Sequence, residues 1–320
     1  MNPFIQCVQR VVPLHLENKI YVITYHGLIN EKKRTHLYRN FNTVEGFTKQ
    51  LRLLKKYPFL TLDELLQLLQ SGNSITRPHI VFTFDDGYRN NLIAADILKK
   101  FSKPAAFFIS AGYAGGDNIL WTAEASLLLL KGSRTSISFH NNKFDMPDEA
   151  GRVYVFRTIR NILKELPAPI KNAAMHEIRN QYTADEYGQL RQQFNEFEML
   201  NWKELREMSS SGFDIGSHGF WHELHHAAQP EHIVHEELKA SKNIIESYTG
   251  KPCMAMSFPN GNFRSSSAKE LEDASYKMAF TNWQGVNDIS SPPLFLNRIS
   301  SNNKFLKFKT SLRQLHRQKQ

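Results

Sequence analysis

The chain has 320 residues, of which 41% are hydrophobic and 22% are charged, and a net charge of +9. This composition is ordinary for a globular protein and leaves enough apolar residues for a sizeable core. With only two cysteines, Cys7 and Cys253, the chain has neither a disulfide framework nor a metal site built on a CxxC pair.

Targeting signals are not apparent in the sequence. No apolar run approaches the roughly 20 residues of a membrane span, and polar residues interrupt the N-terminal segment before it could form the core of a signal peptide. We therefore expect a cytoplasmic protein, which could also lie against the inner face of the membrane.

The segment 304–320 is basic, and its apolar residues recur at helical spacing. Two interpretations stay open: a helix docked on its own domain, which is favoured, and an amphipathic helix on an anionic membrane surface. No recognition motif accompanies the charge, so we expect no nucleic-acid partner.

Apolar strands alternate with amphipathic helices along the chain. The predicted strands are 19–28, 80–84, 103–110, 212–218, 253–261 and 278–282. The predicted helices are 44–57, 61–72, 90–101, 201–212, 230–250 and 267–277, the second of which begins with a capping box formed by Thr61 and Glu64. This alternation predicts an α/β protein with a parallel sheet or barrel.

The alternation of strands and helices is interrupted between residues 111 and 199. Glycines open this segment, and mainly helical periodicity follows. We interpret 111–199 as a mainly helical insertion on the rim of a single domain that spans 1–303, with 304–320 as a basic tail.

Two adjacent carboxylates, Asp85 and Asp86, end the predicted strand "HIVFTF", and Gly87 follows them. Carboxylates this close repel each other unless a cation or strong donors hold them. The ends of parallel strands are also where α/β folds bind their ligands. The alternative is an Asp-Gly turn with solvated side chains.

Histidines cluster in "GSHGFWHELHH". His218 and His222 are spaced so that, on one helical turn, both imidazoles would share a face, as divalent-metal ligands require. His222 and His226 have the same spacing and His225 lies beside them, so the register stays open. Because His218 ends a predicted strand, as the paired carboxylates do, the sequence favours an open site of two histidines and one carboxylate.

The series "TFDDG", "SHGFWH" and "SFPNG" resembles the motifs of the polysaccharide deacetylases, carbohydrate esterase family 4 with its NodB homology domain. The resemblance covers roughly 19–300, apart from the insertion. It implies a distorted (β/α) barrel and a hydrolase that removes N-acetyl, sometimes O-acetyl, groups from chitin, peptidoglycan and related glycans.

The resemblance also implies roles for individual residues. Asp85 would be the general base, while Asp86, His218 and His222 would bind one divalent metal ion. Zinc suits two histidines and one aspartate, and cobalt or nickel would fit similar ligands.

The chain departs from the family pattern at three places. Gly219 stands where a hydroxyl residue is usual, which removes a hydrogen bond of the loop; "SFPNG" lacks the arginine that orients the base; and no Leu-x-His motif follows the last predicted strand. Arg298 could pair with Asp85 in place of the missing arginine.

The motif "TYHGL" near the N-terminus supplies a candidate for the missing acid. It resembles the branch that acts on poly-N-acetylglucosamine, in which the motifs are circularly permuted and a histidine at an N-terminal strand end is the acid. By this resemblance His26 protonates the leaving amine, for which an imidazole is suited near neutral pH. The alternative is a core histidine at the end of a strand.

Together these features predict a metal-dependent hydrolase that removes an N-acyl group, N-acetyl above all, from an amino sugar in a glycan or glycan precursor. The alternatives are a non-catalytic glycan-binding module on the same fold and a deacylase of a lipid-linked sugar at the membrane surface. Phosphoester cleavage is less favoured, because no cluster of arginine or lysine accompanies the motifs.

Overall fold

The computed structural model describes residues 14–30 and 35–314. Its strands are, in chain order, β1 (Ile20–Tyr25), β2 (Leu28–Ile29), β3 (Asn42–Thr43), β4 (His79–Phe84), β5 (Ala106–Ile109), β6 (Ser136–Phe139), β7 (Asn142–Asp145), β8 (Asp214–Ser217), β9 (Ala255–Ser257), β10 (Met278–Gln284) and β11 (Leu296–Ser300).

The α-helices follow the same order along the chain. They are α1 (Val44–Leu54), α2 (Leu62–Gln70), α3 (Asn91–Lys100), α4 (Trp121–Lys131), α5 (Glu149–Glu165), α6 (Ala168–Arg179), α7 (Ala184–Gln193), α8 (Trp202–Ser210), α9 (Glu231–Thr249), α10 (Ser267–Asp273) and α11 (Phe305–Gln314). None of these helices is long and apolar enough to span a bilayer.

Within the described residues, seven parallel strands form a closed barrel in the order β1, β11, β10, β9, β8, β5 and β4. The predicted (β/α) barrel is therefore confirmed. The sequence patterns located six of these strands, but not β11, which closes the barrel between β1 and β10.

The register of the strands brings their carboxyl ends to one mouth of the barrel. Tyr25 at the end of β1 pairs with Phe84 at the end of β4, and Ile109 at the end of β5 pairs with Ser217 at the end of β8. The residues that follow these ends, including the predicted site residues, must therefore lie around the same opening.

Alternate side chains along the barrel strands belong to two different apolar clusters. Ile20, Val22 and Val81 belong to a cluster with Phe108 and Phe280 from the other strands. The intervening residues of β1 and β4 pack instead in the larger cluster shared with the surrounding helices. Successive side chains of a strand face opposite sides, so the first cluster fills the barrel and the second joins the barrel to its helices.

The C-terminal helix α11 packs against the barrel. Its Phe308 and Leu312 are fully buried in the cluster that joins barrel and helices. Over its described part, the basic C-terminal segment is thus the docked helix that was favoured from the sequence; residues 315–320 lie outside the described residues.

The segment 111–199 contains α4 to α7, and a β-hairpin formed by β6 and β7. Its apolar side chains, among them Leu128, Ile159 and Ile178, form a separate buried cluster. The segment leaves the barrel after β5 and returns before α8, so it starts from the mouth of the barrel at which the strands end.

Candidate metal centre and active site

Asp85 and Asp86 follow β4 and are both buried, with exposed fractions of 2% and 7%. Asp85 continues the alternation of Val81 and Thr83 and faces the barrel interior. Asp86 has φ +79°, a left-handed conformation that costs a non-glycine residue roughly 1–2 kcal/mol. The positive φ turns Asp86 away from the outer face of the barrel, where it would lie if the strand continued. Because both carboxylates are buried, the alternative of an Asp-Gly turn with solvated side chains is excluded.

Arg298 lies on β11, which is separated from β4 by β1 in the barrel. Its guanidinium holds the Asp85 carboxylate. Its Nη1 and Nη2 donate to Asp85 Oδ1 and Oδ2 at 2.8 and 2.7 Å, and only 1% of Arg298 is exposed. The Thr281 carbonyl and the Asn282 side chain accept further hydrogen bonds from the guanidinium, each at 2.8 Å. Arg298 is therefore fixed in a bidentate geometry, which lysine could not reproduce.

The electrostatic balance at Asp85 favours its ionised form. Burial raises the pKa of the Asp85 carboxyl, but the charge of Arg298, together with His218, outweighs it and leaves the pKa below its usual value. Ser257 adds a hydrogen bond from its Oγ to Asp85 Oδ2 at 3.2 Å.

Asp86, His218 and His222 come together beside this pair, and each offers a ligand atom within 4.8 Å of the others. Both histidine Nε2 atoms lie 3.4 Å from Asp86 Oδ1. That distance is too long for a strong hydrogen bond. It matches the separation of about 3.3 Å between two ligands of a tetrahedral ion with bonds of about 2.0 Å.

The hydrogen bonds around the histidines also suit a metal. His218 Nδ1 lies 2.7 Å from the carbonyl oxygen of Ser257, so Nδ1 donates to that oxygen and Nε2 is the ring atom that faces Asp86. Burial lowers the pKa of His218, but Asp85 and Asp86 outweigh it and leave the pKa raised, so an ion bound at Nε2 would displace a proton. Burial lowers the pKa of His222, and this favours its neutral, ligating form. The residues present thus fit a divalent ion.

The expected helical turn between the two histidines is wrong. Residues 218–230 contain no helix in the structure, and His222 has φ +57°. An irregular loop brings the two rings together, with centroids 4.9 Å apart. The alternative register is not formed: His225 packs against Phe258, and His226 Nε2 lies 3.3 Å from the Leu166 carbonyl.

Glu237 on α9 fixes the loop that carries His222. Its buried carboxylate accepts the backbone N–H groups of Phe220, Trp221 and Glu223 at 2.9, 2.7 and 3.2 Å. Gly219 has φ +80°, and a Cβ atom there would collide with Glu237 Oε2. Glu237 thus supplies the loop hydrogen bonds that were expected to be missing at Gly219, and it fills the space of a side chain there.

The segment 111–199 holds the same loop from the other side. Trp121 Nε1 donates to the His222 carbonyl at 3.2 Å. Lys171, which is 2% exposed, donates to both carboxylate oxygens of Glu223 at 2.6 Å and lies 4.8 Å from the Trp121 ring centroid. No sequence pattern pointed to these residues, because they meet the loop only through the tertiary fold.

His26 follows β1 and is partly exposed. The Asn91 side chain fixes its backbone by donating to the His26 carbonyl at 2.7 Å. The imidazole lines a cleft of about 430 Å³ at the mouth of the barrel, together with Asp85, Asp86 and both histidines of the cluster. All predicted site residues except Arg298 therefore line one cleft, and Arg298 contacts it through Asp85.

The cleft also contains basic residues that the sequence motifs did not reveal. Arg160 and Lys164 on α5 and Arg39 before β3 line its walls. The sequence showed no cluster of arginine or lysine beside the motifs. The fold nevertheless brings these three residues to the cleft, although they lie far from the motifs along the chain.

Comparison with known proteins agrees with the barrel fold. Solved structures with a similar fold include the Streptococcus pyogenes deacetylase PplD in complex with acetate, with 17% identity over 93% of this chain and 97% of that chain and a TM-score of 0.60. IcaB from Ammonifex degensii has 16% identity over 92% and 97% of the two chains and a TM-score of 0.59. A de-N-acetylase from Aggregatibacter actinomycetemcomitans has 14% identity over 91% and 99% and a TM-score of 0.56. At these identities the structures show a shared fold.

No curated protein sequence matches the chain. The polysaccharide deacetylase family model matches residues 72–279, which contain Asp85, Asp86, His218 and His222 but neither His26 nor Arg298. Because this match covers more than half of the chain, the protein belongs to the polysaccharide deacetylase family.

Proposed function

We propose that the protein is a metal-dependent hydrolase that removes an N-acyl group, N-acetyl above all, from an amino sugar of a glycan or glycan precursor. The observation that carries the proposal is the buried Asp86–His218–His222 cluster beside a carboxylate, Asp85, that Arg298 keeps ionised. Family membership and the deacetylases among the structural neighbours support the reaction class.

Asp86, His218 and His222 would hold the divalent ion, whose chemistry when bound is to polarise the acyl carbonyl and to lower the pKa of a water molecule. Zinc is the first candidate for two imidazoles and one carboxylate, with cobalt and nickel as alternatives.

Asp85 is the general base in this proposal. It is ionised and is held in one orientation by the two hydrogen bonds from Arg298, so it can take a proton from the attacking water. His26, on the same cleft, donates a proton to the amine as the C–N bond breaks. Without a donor the amine would leave as a poor anionic group.

The segment 111–199 has two roles in this proposal. It shapes access to the cleft through α4 and α5, and it holds the His222 loop through Trp121 and Lys171. We therefore expect that deleting it would weaken metal binding as well as change substrate use.

The test is acetate release by the purified full chain from a panel of N-acetylated glycans and precursors, with added zinc and with chelator. We expect release that needs the metal and falls by about two to four orders of magnitude in Asp85→Asn, as is typical when a general base is lost. The exposed Asp96 supplies the matched control, Asp96→Asn, which should keep full activity.

Measuring the metal content of the variants distinguishes the general base from the metal ligands. Asp85→Asn should keep the bound ion, whereas His222→Ala should lose it. A protein that binds the glycans and the metal but releases no acetate from any of them would be the non-catalytic glycan-binding module instead.

A further inference from the structure

One face of helix α5 forms a wall of the cleft. Phe156, Arg160 and Lys164 are spaced by four residues, so they lie on one side of the helix, and all three line the cleft. Ile159 and Leu163 of the same helix are fully buried in the core of the segment 111–199. The packing of α5 thus fixes which side faces the cleft.

Two guanidinium nitrogens of Arg160 lack a hydrogen-bond acceptor among the described residues. Its Nε and Nη1 are buried and have no hydrogen-bond partner among the described residues. Its Nη2 donates to the Asn161 side chain at 3.2 Å, and the guanidinium lies 5.4 Å from the Phe156 ring centroid. Burial lowers the pKa of Arg160. Because unpaired buried donors on a cation are costly, such donors commonly mark the place of an acceptor from outside the protein.

Lys164 stands one turn further along the same face. Its Nζ donates to Asn260 Oδ1 of the "SFPNG" segment across the cleft. Burial, reinforced by the charge of Arg160, lowers the pKa of Lys164 to about 8, although Glu165 partly opposes this shift. The charges of these two residues of the cleft therefore repel each other.

We propose that Arg160 and Lys164 form a subsite for a phosphoryl group, and hence that the substrate is an acylated amino sugar linked to phosphate. A phosphoryl dianion would satisfy the free guanidinium donors and offset both charges, whereas a uronic acid carboxylate would offset only one. This inference rests on the proposed function, since it assumes that the acyl group lies at the metal cluster of the same cleft.

The first experiment measures kcat/KM for acetate release from N-acetylglucosamine 1-phosphate and from methyl N-acetylglucosaminide, its neutral counterpart. We expect the wild type to prefer the phosphorylated sugar by about tenfold or more. In Arg160→Met/Lys164→Met this preference should disappear, mainly through a higher KM for the phosphorylated sugar. Arg157 is exposed on the same helix, and Arg157→Met should behave as wild type.

Further substrates distinguish the sources of the phosphate. A uridine diphosphate sugar and a polyprenyl diphosphate sugar test nucleotide-linked and lipid-linked forms, and a disaccharide with a uronic acid tests a carboxylate. A preference for the uronic acid that the double variant removes would overturn the phosphoryl assignment.

A binding experiment keeps the subsite testable without turnover. Calorimetry with N-acetylglucosamine 1-phosphate in the presence of chelator, which removes binding of phosphate to metal, should give at least tenfold weaker binding in the double variant than in wild type. Equal binding in both would overturn the subsite. Acetate release with no preference and no effect of the variant would refute the subsite alone, whereas phosphate binding without any acetate release would refute the proposed function alone.

Discussion

Replacing Arg298 with methionine tests how the site holds Asp85. The substitution removes both hydrogen bonds to a carboxylate that is 2% exposed and leaves it as a buried charge without its cation. Breaking a buried pair in this way typically costs about 3–5 kcal/mol of the free energy of unfolding. We therefore expect Arg298→Met to lose that much stability, and a conservative Arg298→Lys to recover only part of it, because lysine cannot form two parallel hydrogen bonds.

The coupling between the two residues can be measured with a double-mutant cycle. Asp85→Asn in the Arg298→Met background removes the unpaired charge, so the double variant should regain most of the lost stability. Urea unfolding followed by tryptophan fluorescence, with chelator present so that metal binding does not contribute, gives each free energy. Arg89, whose side chain is about half exposed, pairs with Glu198 and Glu204. As a control, Arg89→Met should cost about 1 kcal/mol or less. A loss below about 1 kcal/mol in Arg298→Met, or no recovery in the double variant, would refute this reasoning.

Three further predictions concern other parts of the molecule. His26→Ala should keep the metal and lower turnover of amide substrates by about a hundredfold, while activated esters, whose leaving groups need little protonation, change much less. Gly219→Ala should reduce both metal affinity and stability, because the new Cβ meets Glu237, whereas Gly212→Ala, with φ +92° and open space, should cost only about 1 kcal/mol of strain. Burial raises the pKa of Asp214 to about 6, so the folded protein binds this proton more tightly than the unfolded chain. Its stability should fall as pH rises from about 4 to about 6, and Asp214→Asn should remove up to about 3 kcal/mol of that loss.

Each of these predictions has an outcome that contradicts it. Equal losses on amides and activated esters would return His26 to a structural role. Similar effects of the two alanine variants would show that backbone strain alone, and no collision with Glu237, acts at Gly219. A stability difference between wild type and Asp214→Asn that does not change with pH would show that this carboxyl titrates normally.

The sequence was informative where a local pattern has a single structural consequence. Apolar strands followed directly by Asp85, Asp86 or His218 place these residues at strand ends, and parallel strands bring their ends to one mouth. The pairing of Arg298 with Asp85 was expected only because the arginine of the family motif is missing from "SFPNG", and the strand that carries Arg298 was not recognised. β11 is interrupted by the polar residues Asn297 and Arg298, and so it lacks the apolar run that marked most of the other strands.

The sequence was misleading or silent where long-range packing decides. The spacing of His218 and His222 suggested a helical turn. The conformation of the loop between them is instead fixed by hydrogen bonds to Glu237, which lies well beyond the loop in the chain. Likewise, Arg160 lines the cleft and Lys171 contacts Glu223 in the His222 loop only because the segment 111–199 packs at the mouth of the barrel. No local pattern of charge or hydrophobicity distinguishes them from solvated basic residues of a helix.

The most direct test of the central claim is one paired measurement on the purified full chain: metal content by elemental analysis and acetate release from N-acetylated amino sugars, for wild type, Asp85→Asn and Asp86→Ala. The account predicts about one divalent ion per chain and metal-dependent acetate release in wild type, the ion without release in Asp85→Asn, and neither in Asp86→Ala. Full metal content and undiminished acetate release in Asp86→Ala would contradict it.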